Sequence, residues 1–329
     1  MAKYTINDVA KAAGVSKATV SRYLNGRFER MSLATRRKIK AVIADLGYVP
    51  NYNASALKSK RSHQIGVVVG DVSNVYSTFL IKGISGVTRT RQDQILIADG
   101  GEDPQQETVA IKNLLSQNVD GIILQPARPD ASGYQFLKDA GVPVVLVDRL
   151  LRPLLFPCVT SNDTASGKLL AQAALEKGYQ NVIVLSHPVD QATVRYERYR
   201  AFAAVCRGAN IPINLLEVED ADDVSGLRAA LDAAQSMKSV IFATNGILLM
   251  AALRWLQQQQ IAVPKQVGLC GYDDWNWGEL ANPPLAVVNQ NPEKIGREVA
   301  LRLEQLIAGK EVFVGRTEVP AEVHIRESL

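Results

Sequence analysis

The sequence predicts an α/β protein in which a small all-α head is followed by two lobes, each built on a doubly wound parallel sheet. Three observations predict this class. Apolar residues recur at helical spacing in the first 62 of the 329 residues, short apolar runs then alternate with helical stretches, and this alternation occurs twice. Hydrophobic residues make up 47% and charged residues 21% of the chain, so it can bury a sizeable core, which excludes a disordered or collagen-like chain.

Charge is distributed unevenly between the head and the body. Residues 1–62 contain 13 Lys/Arg and 3 Asp/Glu, a balance of +10, whereas the other 267 residues contain 24 Lys/Arg and 30 Asp/Glu, a balance of −6. A small basic module on a mildly acidic body is typical of a head that binds a polyanion. A solvated basic tail is the alternative, but the helical spacing and helix caps of this segment predict that it folds.

The cysteines and the apolar runs indicate the compartment. Cys158, Cys206 and Cys270 are far apart and form no CxxC pair, so we predict neither a disulfide framework nor a metal site, and we predict no cofactor. A reducing compartment fits this usage. The first residues lack the apolar core of a signal peptide, and no apolar run is long enough to span a bilayer. We therefore expect a cytoplasmic protein.

Three helices are predicted in the head, with a glycine turn between the first two. Thr5, Ser16 and Ser32 are the candidate N-caps, because each precedes a helical pattern and can accept a hydrogen bond from a backbone N–H. Gly14 and Gly26 are candidate ends of the first and second helices, since glycine readily adopts the left-handed conformation found there. This order predicts a helix-turn-helix motif followed by a third helix.

The second helix, residues 17–24, begins with small polar and basic residues. A helix of this kind fits the major groove of DNA, where its side chains contact phosphates or base edges. The residues that can make such contacts are Ser16, Lys17, Thr19, Ser21 and Arg22. A three-helix protein-binding module is the alternative that this segment alone leaves open.

Two runs of the head carry a family resemblance: TINDVAKAAGVSKATVSRYLNG and TRRKIKAVIADLGYVPN. They resemble the DNA-binding domain of the lactose-repressor family of bacterial transcription regulators, and the resemblance continues through the whole chain. It implies that Lys17 and Ala18 form the main base-discriminating pair and that Arg22 contacts a base. Ala18 can offer only apolar contact, for example with a thymine methyl group. Met31 replaces the usual valine of the family, which we interpret as a packing variant.

Residues 50–62 are predicted to join the head to the body. Pro50 ends the third helix, and an isolated short helix after it would be marginal in water, so this segment is expected to fold on binding. The resemblance implies a hinge helix that inserts Leu57 into the minor groove of DNA. A plain basic linker is the alternative. The complete predicted DNA-contact set is Thr5, Ser16, Lys17, Ala18, Thr19, Ser21, Arg22, Asn25, Tyr48, Asn51 and Leu57.

The body contains two sets of short apolar runs, each followed by a helical stretch. The first set is Ile65–Val69, Ile95–Ala98, Gly121–Leu124 and Val142–Val147, and the second is Val182–Leu185, Leu215–Val218, Val240–Ala243 and Val267–Gly271. Continuous apolar strands separated by helices predict parallel sheets that are covered on both faces. Two sets predict two lobes. The family resemblance implies that these lobes are arranged as in periplasmic binding proteins.

The chain is expected to cross between the lobes near residues 160–163, 289–292 and 320, so each lobe is discontinuous in sequence. The predicted units are a helix-turn-helix head (1–49), a hinge (50–62), an N-terminal lobe (63–161 and 291–320) and a C-terminal lobe (162–290 and 321–329).

Polar side chains follow the predicted strands in both lobes. Because ligands of doubly wound sheets bind at the carboxyl ends of the strands, we expect these side chains to face a cleft between the lobes. Acids and amides with one flat aromatic ring are typical of a polyol site, and arginine recognises a carboxylate or phosphate. The positions match the effector pocket of the family. The predicted effector set is Asp71, Tyr76, Gln125, Asp148, Arg149, Arg195, Arg198, Asn245, Asp273, Trp275 and Gln290.

Several residues near these strand ends have competing structural interpretations. An arginine of the cleft, Arg195 above all, can pair with a carboxylate of the protein instead of a ligand. Asp274 is equally suited to a turn. His187 is better explained as a structural residue at a strand end than as a catalytic base. Gly246 stands where the family commonly has Asp, which weakens the case for a neutral sugar as the ligand.

The whole pattern predicts a ligand-responsive, sequence-specific DNA-binding regulator, and we expect it to repress a carbohydrate operon. Its predicted partners are pseudo-palindromic operator DNA, a small effector and a second copy of the chain, with a dimer of dimers left open. A sugar kinase or dehydrogenase on the same fold would leave the basic head unexplained. A solute-binding protein would require a signal peptide. We therefore expect no enzymatic activity.

The effector is predicted from further stretches of sequence. YLNGRFERMS, the VDR that ends at Arg149 and the helix RYERYRAF are similar to the branch of the family that contains the repressor of the 2-keto-3-deoxygluconate operon. This similarity, with Arg149 and Arg198 in one cleft, favours a keto-deoxy-aldonate or a ketogluconate. The sequence leaves open whether this effector induces or co-represses, which operator is bound and which genes are regulated.

Overall fold

The computed structural model describes residues 4–24, 26–48, 61–234 and 236–329. The chain divides into two compact units, Met1–Ser62 and His63–Leu329. Three predicted DNA contacts (Asn25, Asn51 and Leu57) and the greater part of the predicted hinge lie outside the described residues.

The head contains three helices: α1 (Ile6–Ala13), α2 (Lys17–Leu24) and α3 (Leu33–Leu46). The predicted residues stand at the helix starts, and Ser16 and Ser32 accept a backbone N–H as predicted, whereas the Thr5 hydroxyl donates to Asp8 instead. The Asp8 carboxylate accepts hydrogen bonds from the backbone N–H and the hydroxyl of Thr5, each at 2.7 Å. Ser16 Oγ accepts the N–H of Thr19 at 3.1 Å, and Ser32 Oγ accepts that of Thr35 at 3.2 Å. The structure therefore confirms the predicted start of all three helices.

A small apolar core holds the three helices together. Val9, Ala13, Val20 and Ile39 are fully buried, and they come from all three helices. Met31 joins this core with 8% of its surface exposed, which confirms its interpretation as a packing residue. Because Val20 points into the core, α2 is fixed with its amino-terminal residues turned to the surface.

Two sheets form the body, each with six strands among the described residues. In spatial order, the first sheet consists of β2 (Gln94–Asp99), β1 (Gln64–Val69), β3 (Gly121–Leu124), β4 (Val144–Val147), β5 (Cys158–Ser161) and β11 (Arg316–Val319). The second consists of β7 (Ile213–Glu217), β6 (Asn181–Ser186), β8 (Ser239–Ala243), β9 (Val267–Tyr272), β10 (Ala286–Asn289) and β12 (Glu322–His324). Their equivalent strand orders make the two lobes variants of one doubly wound plan.

Helices connect these strands and cover the sheets. They are α4 (Val75–Thr88), α5 (Pro104–Ser116), α6 (Gln135–Asp139), α7 (Asp163–Glu176), α8 (Thr193–Gly208), α9 (Gly226–Ala233), α10 (Gly246–Gln258) and α11 (Pro292–Ile307), with short 3₁₀ turns at Arg89–Arg91 and Ala131–Tyr134. Helices α4 and α11 cross closely. A Cβ atom built on Gly83 would come within 2.0 Å of the Glu293 carbonyl oxygen, so glycine is required at this crossing.

Four observed strands were not predicted: β5, β10, β11 and β12. They have three or four residues each, and β11 and β12 are edge strands that carry charged side chains. One correction concerns direction. Strand β12 runs antiparallel to β10, with Val288 opposite Val323, so the second sheet is not wholly parallel. Strand β12 is entered directly from β11 of the first sheet, without a helical crossover from β10, so a parallel direction is not imposed on it.

The described residues contain no helix with both the length and the apolar character needed to cross a membrane. All three cysteines are buried thiols without a disulfide.

Candidate functional site

The first candidate surface is the amino-terminal half of α2 in the head. Ser16, Lys17, Ala18 and Arg22 are exposed there, while Thr19 and Ser21 are half-buried. The hydroxyl groups of Ser16 and Thr19 lie 2.9 Å apart. This surface therefore combines hydroxyls, two cations and one methyl group, the combination that phosphate and base-edge contacts require.

Two further predicted contacts lie at the margins of the three-helix unit. Thr5 is exposed at the start of α1, and Tyr48 is half-buried directly after α3 and packs on the head core. Burial raises the pKa of Tyr48, so its hydroxyl stays protonated and able to donate a hydrogen bond at neutral pH.

The second candidate site is a cleft of about 610 Å³ between the two sheets. Its size lies within the range of small-molecule sites. Strand ends of both lobes supply its walls, among them those of β1, β4, β8 and β9. The structure places the whole predicted effector set around this one cleft: Asp71, Tyr76, Gln125, Asp148, Arg149, Arg195, Arg198, Asn245, Asp273, Trp275 and Gln290.

An amide fixes an acid in each lobe. In the first lobe, the Gln125 amide donates to Asp148 Oδ2 at 2.7 Å. In the second, the Gln290 amide donates to Asp273 Oδ2 at 2.5 Å. Both acids have left-handed backbones, with φ of 65° at Asp148 and 61° at Asp273. Such conformations cost about 1 kcal/mol or more in non-glycine residues and are concentrated at functional sites.

Burial raises the pKa of Asp273 to about 7, although Arg198 and the Gln290 amide oppose this shift. The acid therefore changes charge near neutral pH. Protonated, it can donate a hydrogen bond to a ligand oxygen; ionised, it can only accept.

Arg198 is held at the base of the cleft by partners within the second lobe. Its Nε donates to Asp163 Oδ1 at 2.7 Å, and its Nη1 donates to the Thr244 carbonyl oxygen at 2.8 Å. The guanidinium group also lies 4.1 Å from the centroid of the Tyr272 ring. Burial opposes its charge, but Asp163 more than compensates and raises the pKa of Arg198. Asp163 was not predicted as a site residue, because the sequence marks it only as a chain crossing.

Several buried polar atoms in the cleft walls have no hydrogen-bond partner among the described residues. They are Tyr76 Oη, Arg149 Nε, Arg198 Nη2, Asp273 Oδ1, Trp275 Nε1 and Gln290 Oε1. Buried polar groups are almost always paired, so a set that faces one cavity indicates a ligand that supplies the missing partners. Donors and acceptors occur together here, which suits the hydroxyl groups of a polyol.

The indole ring of Trp275 explains why glycine is present at position 246. A Cβ atom on Gly246 would lie 2.2 Å from the Asp273 carbonyl oxygen and 2.6 Å from the indole ring. An aspartate at this position would therefore collide with both groups. The Trp275 side chain also packs on the apolar core of the first lobe, so it reaches across the cleft.

Glu102, which sequence reasoning missed, joins two arginines of the cleft. Its Oε1 lies 2.5 Å from Arg149 Nη2, and its Oε2 lies 2.5 Å from Arg195 Nη2. Burial opposes the ionisation of Glu102, but the two arginines outweigh it and hold the pKa of Glu102 at about 2. The acid follows β2, so the strand-end rule that identified the other residues would have found it.

The remaining predicted residues have structural partners as well as a place in the cleft wall. Asp71 Oδ1 accepts the N–H and the hydroxyl of Ser73 at 2.7 and 2.6 Å, and Asn245 caps α10. His187 Nδ1 lies 3.0 Å from the Val218 carbonyl oxygen, and burial lowers the pKa of this histidine.

Asp274, left open between a turn and a ligand contact, is buried and forms an ion pair with the half-buried Arg326 at 2.6 Å. Its carboxylate also accepts the N–H of Asn276 and so shapes the loop after β9.

A basic three-helix head and a two-lobed domain with one polar cleft define a class: a nucleic-acid-binding module combined with a small-molecule-binding domain. Comparison with known proteins agrees. Residues 5–51 match the family model of bacterial regulatory proteins of the lacI family, and residues 171–329 match that of periplasmic binding protein-like domains.

The chain belongs to the LacI family and is a DNA-binding transcription regulator. It is 30% identical to the HTH-type transcriptional regulator KdgR of Bacillus subtilis, over 99% of this chain and 97% of that protein. It is 31% identical to the transcriptional regulator PtxS of Pseudomonas plecoglossicida, over 99% and 96% of the two chains. These relatives are regulators, so the alternative of a sugar-processing enzyme is wrong.

Solved structures agree on the fold. The lac repressor dimer bound to operator and an anti-inducer superimposes with a TM-score of 0.86 at 22% identity, over 99% of both chains. The complex of the regulator CelR with cellobiose gives 0.71 at 29% identity, over 99% of this chain and 100% of that one.

Proposed function

We propose that this regulator represses a carbohydrate catabolic operon in the cytoplasm and that a sugar acid, a keto-deoxy-aldonate or a ketogluconate, controls it through the cleft. One observation carries the effector class. Three buried arginines, Arg149, Arg195 and Arg198, line the same cleft as the unpartnered groups suited to hydroxyls. A ligand that satisfies both sets has hydroxyl groups and an anionic group.

A carboxylate fits the arginines of this cleft better than a neutral hydroxyl. Charge-assisted hydrogen bonds from arginine are about twice as strong as neutral ones, and the planar guanidinium matches a carboxylate geometrically. Arg149 and Arg195 already share the carboxylate of Glu102, which supports a carboxylate subsite at this point. The similarity to KdgR and PtxS supports a regulator of this branch.

The head provides the operator contacts in this proposal. Lys17 and Ala18 discriminate bases, Arg22 adds a base contact, and the hydroxyl groups nearby bind phosphates. The hinge of residues 50–62 places Leu57 in the minor groove. Two heads of a homodimer then bind a pseudo-palindromic operator, because each head contacts only one half-site.

Effector binding in the cleft changes the relative position of the two lobes, and this change controls the hinges. The lobes are residues 63–161 with 291–320, and residues 162–290 with 321–329. The chain therefore passes between them more than once.

The experiment that tests this function compares ligands in a calorimetric titration of the purified protein. The panel contains 2-keto-3-deoxygluconate and 2-ketogluconate, the neutral sugars glucose and fructose, and glucose 6-phosphate. We expect binding of a keto sugar acid only. Binding of neutral sugars or of the phosphate alone would contradict the sugar-acid proposal.

An arginine variant of the cleft supplies the structural control. Arg195→Gln leaves Glu102 paired with Arg149, so the lobe should remain folded, yet the affinity for the acid should fall at least about tenfold, the equivalent of one charge-assisted hydrogen bond. Arg200→Gln changes an exposed arginine of the same helix and should leave the affinity unchanged.

A further inference from the structure

The ion pairs of Glu102 cross the cleft. Glu102 and Arg149 belong to the first lobe, whereas Arg195 lies in the first turn of α8 in the second lobe. Within the described residues, Glu102 is the carboxylate that contacts both arginines. The pairing therefore links one lobe to the other through a single side chain.

The backbone after β2 directs Glu102 into this position. Gly101 and Glu102 are both left-handed, with φ of 61° and 53°. The Glu102 N–H donates to the Gly70 carbonyl oxygen at 2.9 Å, which ties this turn to the end of β1. A glutamate held in a left-handed conformation is strained by about 1–2 kcal/mol, and such strain is typical of functional sites.

Glu102 is more exposed to solvent than the two arginines that it contacts. The Glu102 side chain is 37% exposed, while those of Arg149 and Arg195 are 8% and 9% exposed. The Glu102 side chain can therefore rotate into solvent, but the arginines cannot follow it. If it left alone, two like charges would stay close together in a buried place, which is strongly unfavourable without another anion.

We propose that Glu102 is an internal substitute for the carboxylate of the effector: in the free protein it occupies Arg149 and Arg195, and a carboxylate-bearing sugar binds by displacing it. This inference rests on the proposed sugar-acid function. It makes Glu102 a determinant of specificity, because a neutral sugar cannot replace the charge that Glu102 supplies and so cannot release it.

The displacement also connects binding to the relation between the lobes. While Glu102 is paired with Arg195, the two lobes are linked across the cleft by the Glu102 side chain, which is attached to the turn after β2. Once the effector carboxylate takes its place, that link runs through the ligand, and the direct contact between Glu102 and Arg195 is lost. The two states therefore differ in a direct contact between the lobes, which is what a ligand must change to shift their equilibrium.

The first experiment compares sugar-acid affinity in the wild type, Glu102→Gln and Asp139→Asn by calorimetry. Glutamine keeps the shape of Glu102 but competes weakly for the arginines, so a larger fraction of the protein is ready to bind. We expect the Glu102→Gln variant to bind the acid about tenfold or more tightly. Asp139 is an exposed acid at the end of α6 in the same lobe and does not line the cleft, so Asp139→Asn should bind like the wild type.

The second experiment needs no knowledge of the effector. Glu102→Ala leaves a space of carboxylate size beside two arginines, and acetate should fill it. At matched ionic strength, sodium acetate should raise the melting temperature of Glu102→Ala above its value in sodium chloride. The wild type and Asp139→Ala should show no such difference.

The outcomes separate this inference from the proposed function. Unchanged or weaker binding of the acid by Glu102→Gln, with normal binding by the wild type, would overturn the displacement and leave the sugar-acid function standing. Failure of acetate to stabilise Glu102→Ala would also overturn it alone. If the wild type and Glu102→Gln both bound only neutral sugars, the function and the inference would fall together.

Discussion

Individual residues of the cleft are held in place by partners that the protein itself provides. Gln125 and Gln290 fix one acid in each lobe, and Asp163 fixes Arg198. Arg198, Asp273 and Gln290, which line the cavity, each keep one buried polar atom without a hydrogen-bond partner in the described part of the chain. This arrangement positions the ligand-facing atoms before the ligand arrives, which reduces the cost of ordering on binding.

The pair of Arg198 and Asp163 gives the first prediction. Both side chains are buried, so Arg198→Ala leaves Asp163 as an uncompensated buried charge. We expect this variant to lose about 3–5 kcal/mol of unfolding free energy in urea denaturation. Arg200→Ala, an exposed change on the same helix, should cost less than about 0.5 kcal/mol. Equal losses in the two variants would show that the pair does not stabilise the lobe.

Asp273 gives a prediction about pH. Its pKa rises from 3.8 to about 7 on folding because the side chain is buried. Between these values the folded protein holds a proton that the unfolded chain has lost, so the free energy of unfolding falls as the pH rises from about 4 to about 7 and then levels off.

Asp273→Asn removes this contribution and should lose less stability between about pH 5 and about pH 8 in urea denaturation. Asp130→Asn, at an exposed acid, should keep the wild-type profile. A wild-type profile in Asp273→Asn would show that this acid does not titrate in that interval.

At the scale of secondary structure, the carboxyl ends of the strands determine where the site lies. All eight predicted strands are observed, with ends shifted by at most two residues, because continuous apolar runs are a strong signal. The unpredicted strands β5, β10, β11 and β12 are too short to show a pattern of their own. Their pairing depends on neighbours that are distant in sequence.

The contact between α10 and the loop after β9 gives a prediction at this scale. A methyl group on Gly246 would meet the Asp273 carbonyl oxygen and the Trp275 ring, so the loop that carries both residues must shift. We expect Gly246→Ala to lower the free energy of unfolding by about 1–3 kcal/mol and to weaken effector binding. Gly133→Ala, where no atom lies within 4 Å of the added carbon, is the matched control. If both variants bind the effector as tightly as the wild type, Trp275 does not contact the ligand.

For the whole molecule, the sequence was sufficient for the class of fold and for the walls of the cleft, because strand ends and family motifs are local signals. It was not sufficient for the contacts across the cleft. Whether Arg195 meets a ligand or a protein carboxylate depends on which loops face each other after two separate sheets have formed. The position of Glu102 after β2 could thus be predicted from the sequence, but its ion pairs with two arginines could be identified only from the structure.

If a sugar acid in the cleft controls operator binding by the head, the two sites must be coupled thermodynamically. The most direct measurement is the operator affinity, by fluorescence anisotropy of a labelled operator obtained by selection, with and without saturating keto sugar acid. We expect the acid to change the dissociation constant about tenfold or more and a neutral sugar to leave it unchanged. By linkage, the operator must change the affinity for the acid by the same factor. An operator affinity that stays constant while the acid is bound would show that the cleft does not control the head.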